Sequence, residues 1–341
     1  MNVSFRTLLA VSGGLALAAL PAARAEKPDG PLNRFQFGAV LGFNTEVNFR
    51  SQAAALPPIL RPNSLGGADR EYDDGFVRQD ASGPGSATTW NWGYDQASQS
   101  GPDGLTMNAL QGNPGADIQG VSDDPQWGAE LTYSRILTDW ADAGVGVELG
   151  VSWVDFGVED SSTVATSLQR VGDTFGLGGA LAPGAPYSGT YDGPGPLLDR
   201  EPSRSATATG GTLSGTRRLE ANWWGARLGP LVDIPLGDIL ALQISGGLAV
   251  AWFDAEFSYS ESATVPGGAP LAQSASASDD ELLWGGYGRA QFTAAFSRRC
   301  GVYAGAQYLV MEDFEISAGS RTAEAELGGT IQAVVGFLYQ F

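Results

Sequence analysis

Five charged residues stand out because each occupies a polar position within a run of alternating apolar and polar residues. They are Glu130, Glu148, Glu326, Arg227 and Arg289. Carboxylates and guanidinium groups that leave water together form ion pairs, because an unpaired buried charge is costly. We expect the five to pair with one another. We also expect them to form hydrogen bonds with glutamines that occupy polar positions of the same alternating runs: Gln243, Gln291, Gln307 and Gln332. A packed polar core that holds the fold rigid is the favoured interpretation, and a gate in which re-pairing opens a narrow conduit is the alternative.

The sequence offers little else that could perform catalysis. It contains no histidine, which excludes a Ser-His-Asp triad and any zinc site with histidine ligands. The G-x-S-x-G, G-x-x-x-x-G-K-[ST] and C-x-x-C motifs are missing, and Cys300 is the single cysteine. Adjacent acids such as Asp73 and Asp74 are weak signs of acid–base catalysis in a loop. We therefore expect no enzymatic activity, no cofactor and no metal.

Acidic residues cluster in segments rich in Gly and Pro. The first group is Asp69, Glu71, Asp73 and Asp74, and later ones contain Asp173, Asp192 and Asp199, and Asp279, Asp280 and Glu281. Such carboxylates could bind Ca²⁺ or accept divalent bridges to lipid phosphates. No segment has the D-x-[DN]-x-[DN]-G spacing of a calcium loop, so a solvated, repulsive surface is the favoured interpretation.

An aromatic group, Trp90, Trp92 and Tyr94, lies in the same region as the first acidic patch. Its alternation predicts a short strand. The three rings could stack on a sugar, or they could form a small core that holds the segment down, which we favour.

The elements that carry these residues are predicted to be β-strands. From Leu327 to Phe341 the odd-numbered residues are mostly apolar or aromatic, and those between them are smaller or more polar. This period of two continues long enough to cross a bilayer as a tilted strand, which needs roughly 9–11 residues. Comparable runs predict seven more strands, at about 34–50, 127–138, 143–158, 219–233, 238–260, 281–297 and 301–316.

The predicted connections alternate in length. Tight turns occupy 139–142, 234–237 and 298–300, whereas the links at about 51–126, 159–218 and 261–280 are long, with a shorter one near 317–322. Short turns on one side, long loops on the other and an even strand count are typical of bacterial outer-membrane β-barrels. A soluble β-sandwich is the alternative all-β fold, but it would not need an apolar, aromatic-ended face on every strand.

The start of the chain predicts export. Arg6 precedes an apolar run from Leu8 to Leu20, and Ala23-Arg24-Ala25 has the small-x-small pattern of a signal-peptidase site. We expect residues 1–25 to be a cleaved signal peptide and 26–341 to form one barrel domain. Removing Arg6 and Arg24 changes the net charge from −19 to −21, which argues against nucleic acid as a partner.

Over its strands the chain resembles small outer-membrane barrels of the OmpA and OmpX type. The resemblance implies a bacterial outer-membrane location, and it implies that Phe341, with Phe337 and Tyr339, forms the C-terminal signal that the barrel-assembly machinery reads. We therefore predict an all-β, up-and-down antiparallel transmembrane barrel with short periplasmic turns and long extracellular loops. Eight strands are expected, or ten if part of the first loop pairs as a hairpin.

An eight-stranded barrel has an interior just wide enough to be filled by side chains. We accordingly expect a monomer, surrounded by outer-membrane lipid, with a structural or surface-interaction role carried by its long acidic loops. The extracellular ligand of those loops is not identified by the sequence. The alternative function is a narrow, porin-like channel for small solutes, gated by the interior Glu and Arg pairs.

Overall fold

The computed structural model describes residues 32–52, 58–112, 114–140, 143–266 and 270–341, so the predicted signal peptide lies outside the described residues. The fold is all-β, and every strand pairing within the described ranges is antiparallel. In chain order the strands are β1 (Asn33–Phe43), β2 (Glu46–Ser51), β3 (Leu60–Pro62), β4 (Ala68–Tyr72), β5 (Gly75–Val77), β6 (Thr88–Thr89), β7 (Trp92–Tyr94), β8 (Ser100–Gly101), β9 (Gly104–Gln111), β10 (Ile118–Val121), β11 (Gln126–Trp140), β12 (Ala143–Asp160), β13 (Val164–Phe175), β14 (Tyr187–Ser188), β15 (Leu198–Asp199), β16 (Ser203–Pro235), β17 (Leu240–Thr264), β18 (Leu271–Ala295), β19 (Cys300–Met311), β20 (Phe314–Ala318), β21 (Arg321–Glu326) and β22 (Thr330–Gln340). A 3-10 turn, Ala97–Gln99, precedes β8. Within these ranges no helix is long and apolar enough to cross a membrane.

Eight of the long strands pair in a cycle. The order is β12-β11-β1-β22-β19-β18-β17-β16, and β16 pairs back to β12. The first and last strands are therefore neighbours, and their ends are joined by the Asn33 N–H, which donates to the Phe341 carbonyl at 3.1 Å. We call this cycle the closed sheet.

Short connections lie at one end of the closed sheet. β11 is separated from β12 by residues 141–142, β16 from β17 by 236–239, and β18 from β19 by 296–299. At the opposite end the chain makes its long excursions, between β1 and β11, between β12 and β16, and between β19 and β22. The predicted alternation of short turns and long links is therefore present in part. The predicted long link 261–280 was wrong, because β17 and β18 are separated by residues 265–270 alone, and the predicted link near 317–322 falls where β20 meets β21.

A second layer, β10-β2-β21-β20, covers the upper interior of the closed sheet, at the end with the long excursions. Its apolar side chains meet those of the closed sheet: the rings of Phe314 and Phe253 lie 4.8 Å apart, and those of Phe49 and Phe257 lie 5.9 Å apart. All four side chains are buried. We call this layer the inner sheet.

Beyond the inner sheet, the upper half of β16 pairs with β13, which in turn pairs with β9. Strands β3, β4, β5, β7 and β14 form a further small sheet. These parts share an apolar core, formed by Val77, Trp92, Tyr94, Leu105, Met107, Phe175 and Leu198. We call β3–β9 and β13–β15 together the head.

Several predicted strand limits were wrong. Region 159–218 is not a loop, because it contains β13 and the first half of β16, and region 51–126 contains β3–β10. The predicted strand 34–50 is broken at Asn44, whose φ of 60° is left-handed backbone that asparagine tolerates. The predicted strand 281–297 begins ten residues earlier, at Leu271, because Ala275 and Ala277 pack on the apolar core that the closed sheet shares with the inner sheet.

The last two predicted strands also needed correction. The run 301–316 ends as β19 at Met311, because Glu312 and Asp313 are used to turn the chain inward: the Asp313 carboxylate accepts the N–H of Leu327 at 3.0 Å. The terminal strand starts at Thr330 rather than Leu327, whose side chain is fully buried in the core of the inner sheet.

Candidate functional site in the lumen and the head

The inside of the closed sheet is lined by polar side chains from alternate positions of its strands. Gln36, Glu130, Thr132, Glu148, Arg227, Gln243, Arg289, Gln291, Gln307 and Gln332 are all buried. The alternation that was read from the sequence places them there, because successive side chains of a strand point to opposite faces.

Glu130 is the centre of the interior charges. Its two carboxylate oxygens accept hydrogen bonds from Arg289 at 2.6 and 2.7 Å, and one of them lies 3.1 Å from Arg227. The Tyr303 hydroxyl donates to the same carboxylate at 2.8 Å. Because the side chains of Glu130, Arg227 and Arg289 are no more than 4% exposed, water contributes little to their solvation.

Glu148 completes this group on the opposite side of Arg227. Its carboxylate lies 3.5 Å from the Arg227 Nε and accepts a hydrogen bond from the Ser245 hydroxyl at 2.9 Å. Two carboxylates thus face two guanidinium groups, so the charges balance. We call Glu130, Glu148, Arg227 and Arg289 the lumen network.

The glutamines connect the lumen network to the surrounding strands. Gln291 accepts from Arg289 at 2.8 Å and donates to Gln243 at 2.8 Å and to Gln36 at 3.0 Å. Gln243 donates to Glu148 at 3.3 Å, and Gln307 donates to Gln332 at 3.2 Å. Buried polar groups that are satisfied in this way make a rigid interior.

Glu326 does not join the lumen network, contrary to the prediction. It lies on β21, in the inner sheet, with an exposed side chain that accepts a hydrogen bond from Asn48 at 2.6 Å. The reason is that the chain leaves the closed sheet between Met311 and Thr330, so the period of two in the terminal strand does not extend back to Glu326.

Two further ionic groups in the interior were missed. Arg34 and Asp233 form a bidentate pair, with both distances 2.8 Å, near the short turns. In the upper interior Arg217 and Arg321 both bind Glu261, and Arg217 also lies 2.6 Å from Asp160. Extending the alternation of the predicted strands would have found both groups, because Arg34 shares the phase of Gln36 and Arg217 shares that of Arg227.

Above the lumen network the interior is apolar and filled. Phe156, Leu219, Trp223, Phe253 and Leu283 are no more than 4% exposed and pack against the inner sheet. A cavity lined by residues of the closed sheet, beside Arg227 and Gln332, has a volume of about 20 Å³, which is room for one water molecule. In the part of the chain that the structure describes, the interior thus has a charged lower half and an apolar layer above it, and the ionic group of Arg217, Glu261 and Arg321 lies above that layer.

The outer surface of the closed sheet changes character abruptly along the strands. Trp153, Trp224 and Trp252 stand directly opposite one another on neighbouring strands, and Leu282 continues their row. Two residues further up, the corresponding row is Asp155, Asn222, Asp254 and Asp280. Below the Trp row the outward side chains are apolar, as in Leu131, Leu149, Val151, Leu228, Ile244, Leu248 and Phe292, which are all between 45% and 72% exposed.

The lower border of this apolar band is aromatic too. Phe337, Tyr339 and Phe341 point outward and are 42% to 68% exposed. The Phe341 ring stacks on Phe35 at 5.9 Å and on Tyr339 at 5.9 Å. On β17 the band runs from Leu240 to Trp252, which is roughly 40 Å along the strand and about 30 Å along the axis at the usual tilt.

In the head, the predicted aromatic group is mostly internal. Trp92 and Tyr94 are no more than 2% exposed, and the Trp92 ring lies 4.6 Å from Tyr187. The Trp92 indole N–H donates to the Pro196 carbonyl at 2.9 Å. Trp90 is half-buried beneath Gly193, whose φ of +66° and missing Cβ allow the close approach. The arrangement agrees with a small core rather than with an open sugar platform.

The acidic residues of the head also interact with other groups of the protein. The Asp73 carboxylate accepts the N–H of Leu110 at 2.8 Å, and Asp74 accepts the N–H of Asn108 at 2.6 Å. Asp69 accepts the N–H of Gln79 at 2.9 Å, and Glu71 pairs with Arg78 at 2.7 Å. Among the described residues no three acidic or cysteine side chains are arranged to hold a metal ion. These acids therefore serve as hydrogen-bond acceptors that connect the strands of the head. The sequence analysis considered a cation site and a solvated, repulsive surface, and neither interpretation included this role.

Asp173 is the most buried carboxylate of the head. Its oxygens accept two hydrogen bonds from Arg204, at 2.7 and 2.8 Å, and one from the Tyr72 hydroxyl at 2.6 Å. Burial alone would raise the pKa of Asp173, but these hydrogen bonds and the charge of Arg204 lower it below its ordinary value. Burial and the same carboxylate raise the pKa of Tyr72.

A closed antiparallel sheet with an apolar outer band, aromatic rows at both borders and a polar interior is the architecture of a bacterial outer-membrane β-barrel. The chain resembles the small barrels of the OmpA and OmpX type in this respect, and its place is the outer membrane.

Comparisons with solved structures find alignments at low identity and low TM-score. The attachment invasion locus protein Ail of Yersinia pestis aligns with 10% identity and a TM-score of 0.30, covering 92% of this chain and 100% of Ail. The outer membrane protease OmpT from Escherichia coli aligns with 10% identity and a TM-score of 0.30, covering 92% of this chain and 98% of OmpT. The toluene transporter TodX of Pseudomonas putida aligns with 10% identity and a TM-score of 0.17, covering 95% and 93%.

No protein-family model matches the sequence, and no curated protein matches it. Since the three structures include an attachment protein, a protease and a transporter, similarities this weak do not select a function.

Proposed function

We propose that this protein is an eight-stranded outer-membrane barrel that is closed to solutes and supports an ordered extracellular head. In this proposal the barrel has a structural role, and the head and its neighbouring strands carry a non-enzymatic surface-interaction role. The observation that carries the proposal is the filled interior, in which the lumen network and the apolar core lie one above the other.

The lumen network supports a closed barrel. Four charged side chains balance one another, and opening a conduit would separate Glu130 from Arg289. Breaking a buried pair of this kind costs about 3–5 kcal/mol when one partner is left alone. The upper interior adds a second barrier, because the ring of Phe253 packs against Phe314 from the inner sheet.

The head supports a surface role. The strands that carry it, β16, β17 and β18, continue well beyond the Trp row, where their outward residues become polar: Glu220, Asp254, Glu256, Ser276 and Ser278. A head with its own buried core is ordered without a partner, so it can present a fixed surface. A rigid scaffold with exposed connecting segments is where binding is usually found.

The non-enzymatic part of the proposal is supported by chemistry. The sequence has no histidine, and the clustered carboxylates Asp73, Asp74 and Asp173 already accept hydrogen bonds from the protein itself. None of them is left to act on a substrate.

For partners we propose outer-membrane lipid around the apolar band and, during assembly, the barrel-assembly machinery at Phe337, Tyr339 and Phe341. The functional form is proposed to be a monomer.

The experiment is single-channel conductance in planar bilayers, with heat-modifiability on a gel measured on the same detergent-refolded sample. We expect a folded band that shifts on boiling, and no steady conductance. A shifting band together with reproducible conductance would overturn the closed barrel and make the narrow, gated channel the better function. A protein that stays soluble without detergent and shows no shift would overturn the transmembrane barrel itself.

A further inference from the structure

The upper half of β18 has a partner strand on one side alone. β18 pairs with β17 from Leu271 to Ala294, but with β19 only from Gly285 to Ala295. β19 ends at Met311, and the chain then turns inward to form β20. Among the strands that the structure describes, none pairs with the other side of Leu271–Leu283. We call this side the free edge.

The backbone groups that face the free edge can be assigned. The N–H of Trp284 donates to the Glu312 carboxylate at 3.0 Å, and the carbonyl of Trp284 accepts the N–H of Glu312 at 3.0 Å. Trp284 therefore directs both groups away from β17. Because the β17–β18 register is unbroken, the same holds for the even-numbered residues above it: Leu282, Asp280, Ser278, Ser276, Ser274 and Ala272.

One of these donors is already engaged. The N–H of Asp280 donates to the Asp279 carboxylate at 3.0 Å, which agrees with its position at the free edge. The segment from Ala272 to Ser278 remains, and it is roughly 20 Å long. Its even-numbered side chains are small and exposed, while Ala275 and Ala277 pack inward against the core. This part of β18 is thus held in place by the apolar core on its inner face and by β17 along its other edge.

Edge strands are usually protected against pairing by proline, lysine, bulges or a covering segment. The free edge has no proline or lysine between Ala272 and Ser278, and no bulge interrupts its pairing with β17. An edge of this length offers alternating N–H and C=O groups, which is what an added extended segment recognises.

The charges around the free edge determine which kind of segment can bind there. Asp279, Asp280 and Glu281 lie at its base, and Glu312, Asp313 and Glu315 are exposed on the chain that leaves β19. An acidic segment would be repelled there, and a basic one attracted. A second copy of the chain would bring the same acids, and two-fold antiparallel pairing of two free edges would invert one barrel relative to the membrane.

We infer that the free edge of β18, from Ala272 to Ser278, binds an extended, basic segment of a partner protein by adding it as a further antiparallel strand. The inference rests on the proposed function, because the edge must stand outside the membrane above the Trp row.

The test uses the full mature chain refolded in detergent, and a fluorescent peptide of about ten residues in which Arg alternates with Thr and Val. Fluorescence anisotropy should show saturable binding. The same peptide with N-methyl groups along one backbone edge should bind at least about tenfold more weakly, because it keeps its charge and loses the backbone donors. Equal binding of the two peptides, or equal binding of an acidic peptide, would overturn the inference.

Two variants locate the site. Ser276→Pro removes one N–H from the free edge without removing a hydrogen bond to β17, and it should weaken binding by about tenfold, whereas Ser276→Ala should bind as the unmodified chain does. A heat-shift gel of each variant checks that the barrel is folded, and the N-methyl comparison does not depend on any variant. A closed, heat-modifiable barrel that binds no peptide would overturn this inference alone and leave the proposed function standing.

Discussion

Glu130 accepts hydrogen bonds from Arg289 and Tyr303 and lies beside Arg227, so it neutralises charge that comes from two other strands. Replacing it with glutamine keeps the size of the side chain and removes the charge. We expect Glu130→Gln to lower the free energy of unfolding by about 3–5 kcal/mol, because two buried guanidinium groups lose their main counter-charge. The measurement is the urea dependence of the heat-shift band in lipid vesicles.

The matched control for this substitution is Glu326→Gln. Glu326 is exposed and accepts a hydrogen bond from Asn48, so the change should stay within about 0.5 kcal/mol. Equal loss of stability in the two variants would contradict the role assigned to the lumen network.

Asp173 makes the head sensitive to acid. The folded protein lowers the pKa of this carboxyl, so the resulting stability is present above the ordinary value near 3.8 and is lost as the pH falls through the folded-state value. We expect the head to lose its native tryptophan fluorescence below about pH 4, while the barrel keeps its heat-shifted band.

The variant that isolates this contribution is Asp173→Asn. It should be less stable near neutral pH and should show a smaller change between about pH 5 and pH 2. Comparing it with the unmodified chain is necessary because burial raises the pKa of Asp73, which acts in the opposite sense. An unchanged pH profile in the variant would contradict the assignment to Asp173.

At the scale of elements, β7 places Trp92 in the apolar core of the head. Its side chain is fully buried between Tyr94 and Tyr187. We expect Trp92→Ala to cost about 3–5 kcal/mol, with the loss confined to the head. Limited proteolysis should then cleave the head while the barrel stays resistant. Trp127→Ala, at an outward position 63% exposed, is the control and should leave the head resistant.

The strands of the barrel could be predicted because each one has one face toward lipid and one toward the interior. Phe37, Leu131 and Leu248 are exposed and Gln36, Thr132 and Ala249 are buried, as the period of two requires. The same alternation placed Glu130, Glu148, Arg227 and Arg289 inside before any pairing was known.

The head and the inner sheet could not be predicted in the same way. Their strands are short, and both faces of β7 and β21 are largely buried, so no clear alternation marks them. The extension of β16 and β18 above the Trp row was missed for a related reason: many of their residues there are Ser, Thr, Gly and acids, which resemble a loop in composition. Glu326 was misplaced because the departure of the chain at Glu312 depends on contacts with distant residues.

At the scale of the whole molecule, we expect folding and assembly to depend on different residues. Phe341 is 55% exposed and contacts Phe35 and Tyr339 on the outer surface. We expect Phe341→Ala to change the stability of the refolded protein by less than about 1 kcal/mol but to reduce the amount assembled in the outer membrane of cells several-fold. The measurement compares refolding yield in detergent with the heat-shifted fraction in membranes. Equal losses in both would contradict a role in recognition by the assembly machinery.

Two ion pairs of the interior join strands that are not neighbours: Glu130 on β11 with Arg289 on β18, and Arg34 on β1 with Asp233 on β16. Such links cross the barrel from wall to wall, so they resist flattening of its cross-section under the lateral pressure of the bilayer. A pull applied to the head would accordingly be transmitted through β16, β17 and β18 to a stiff cylinder, and the head would yield to force before its membrane anchor does.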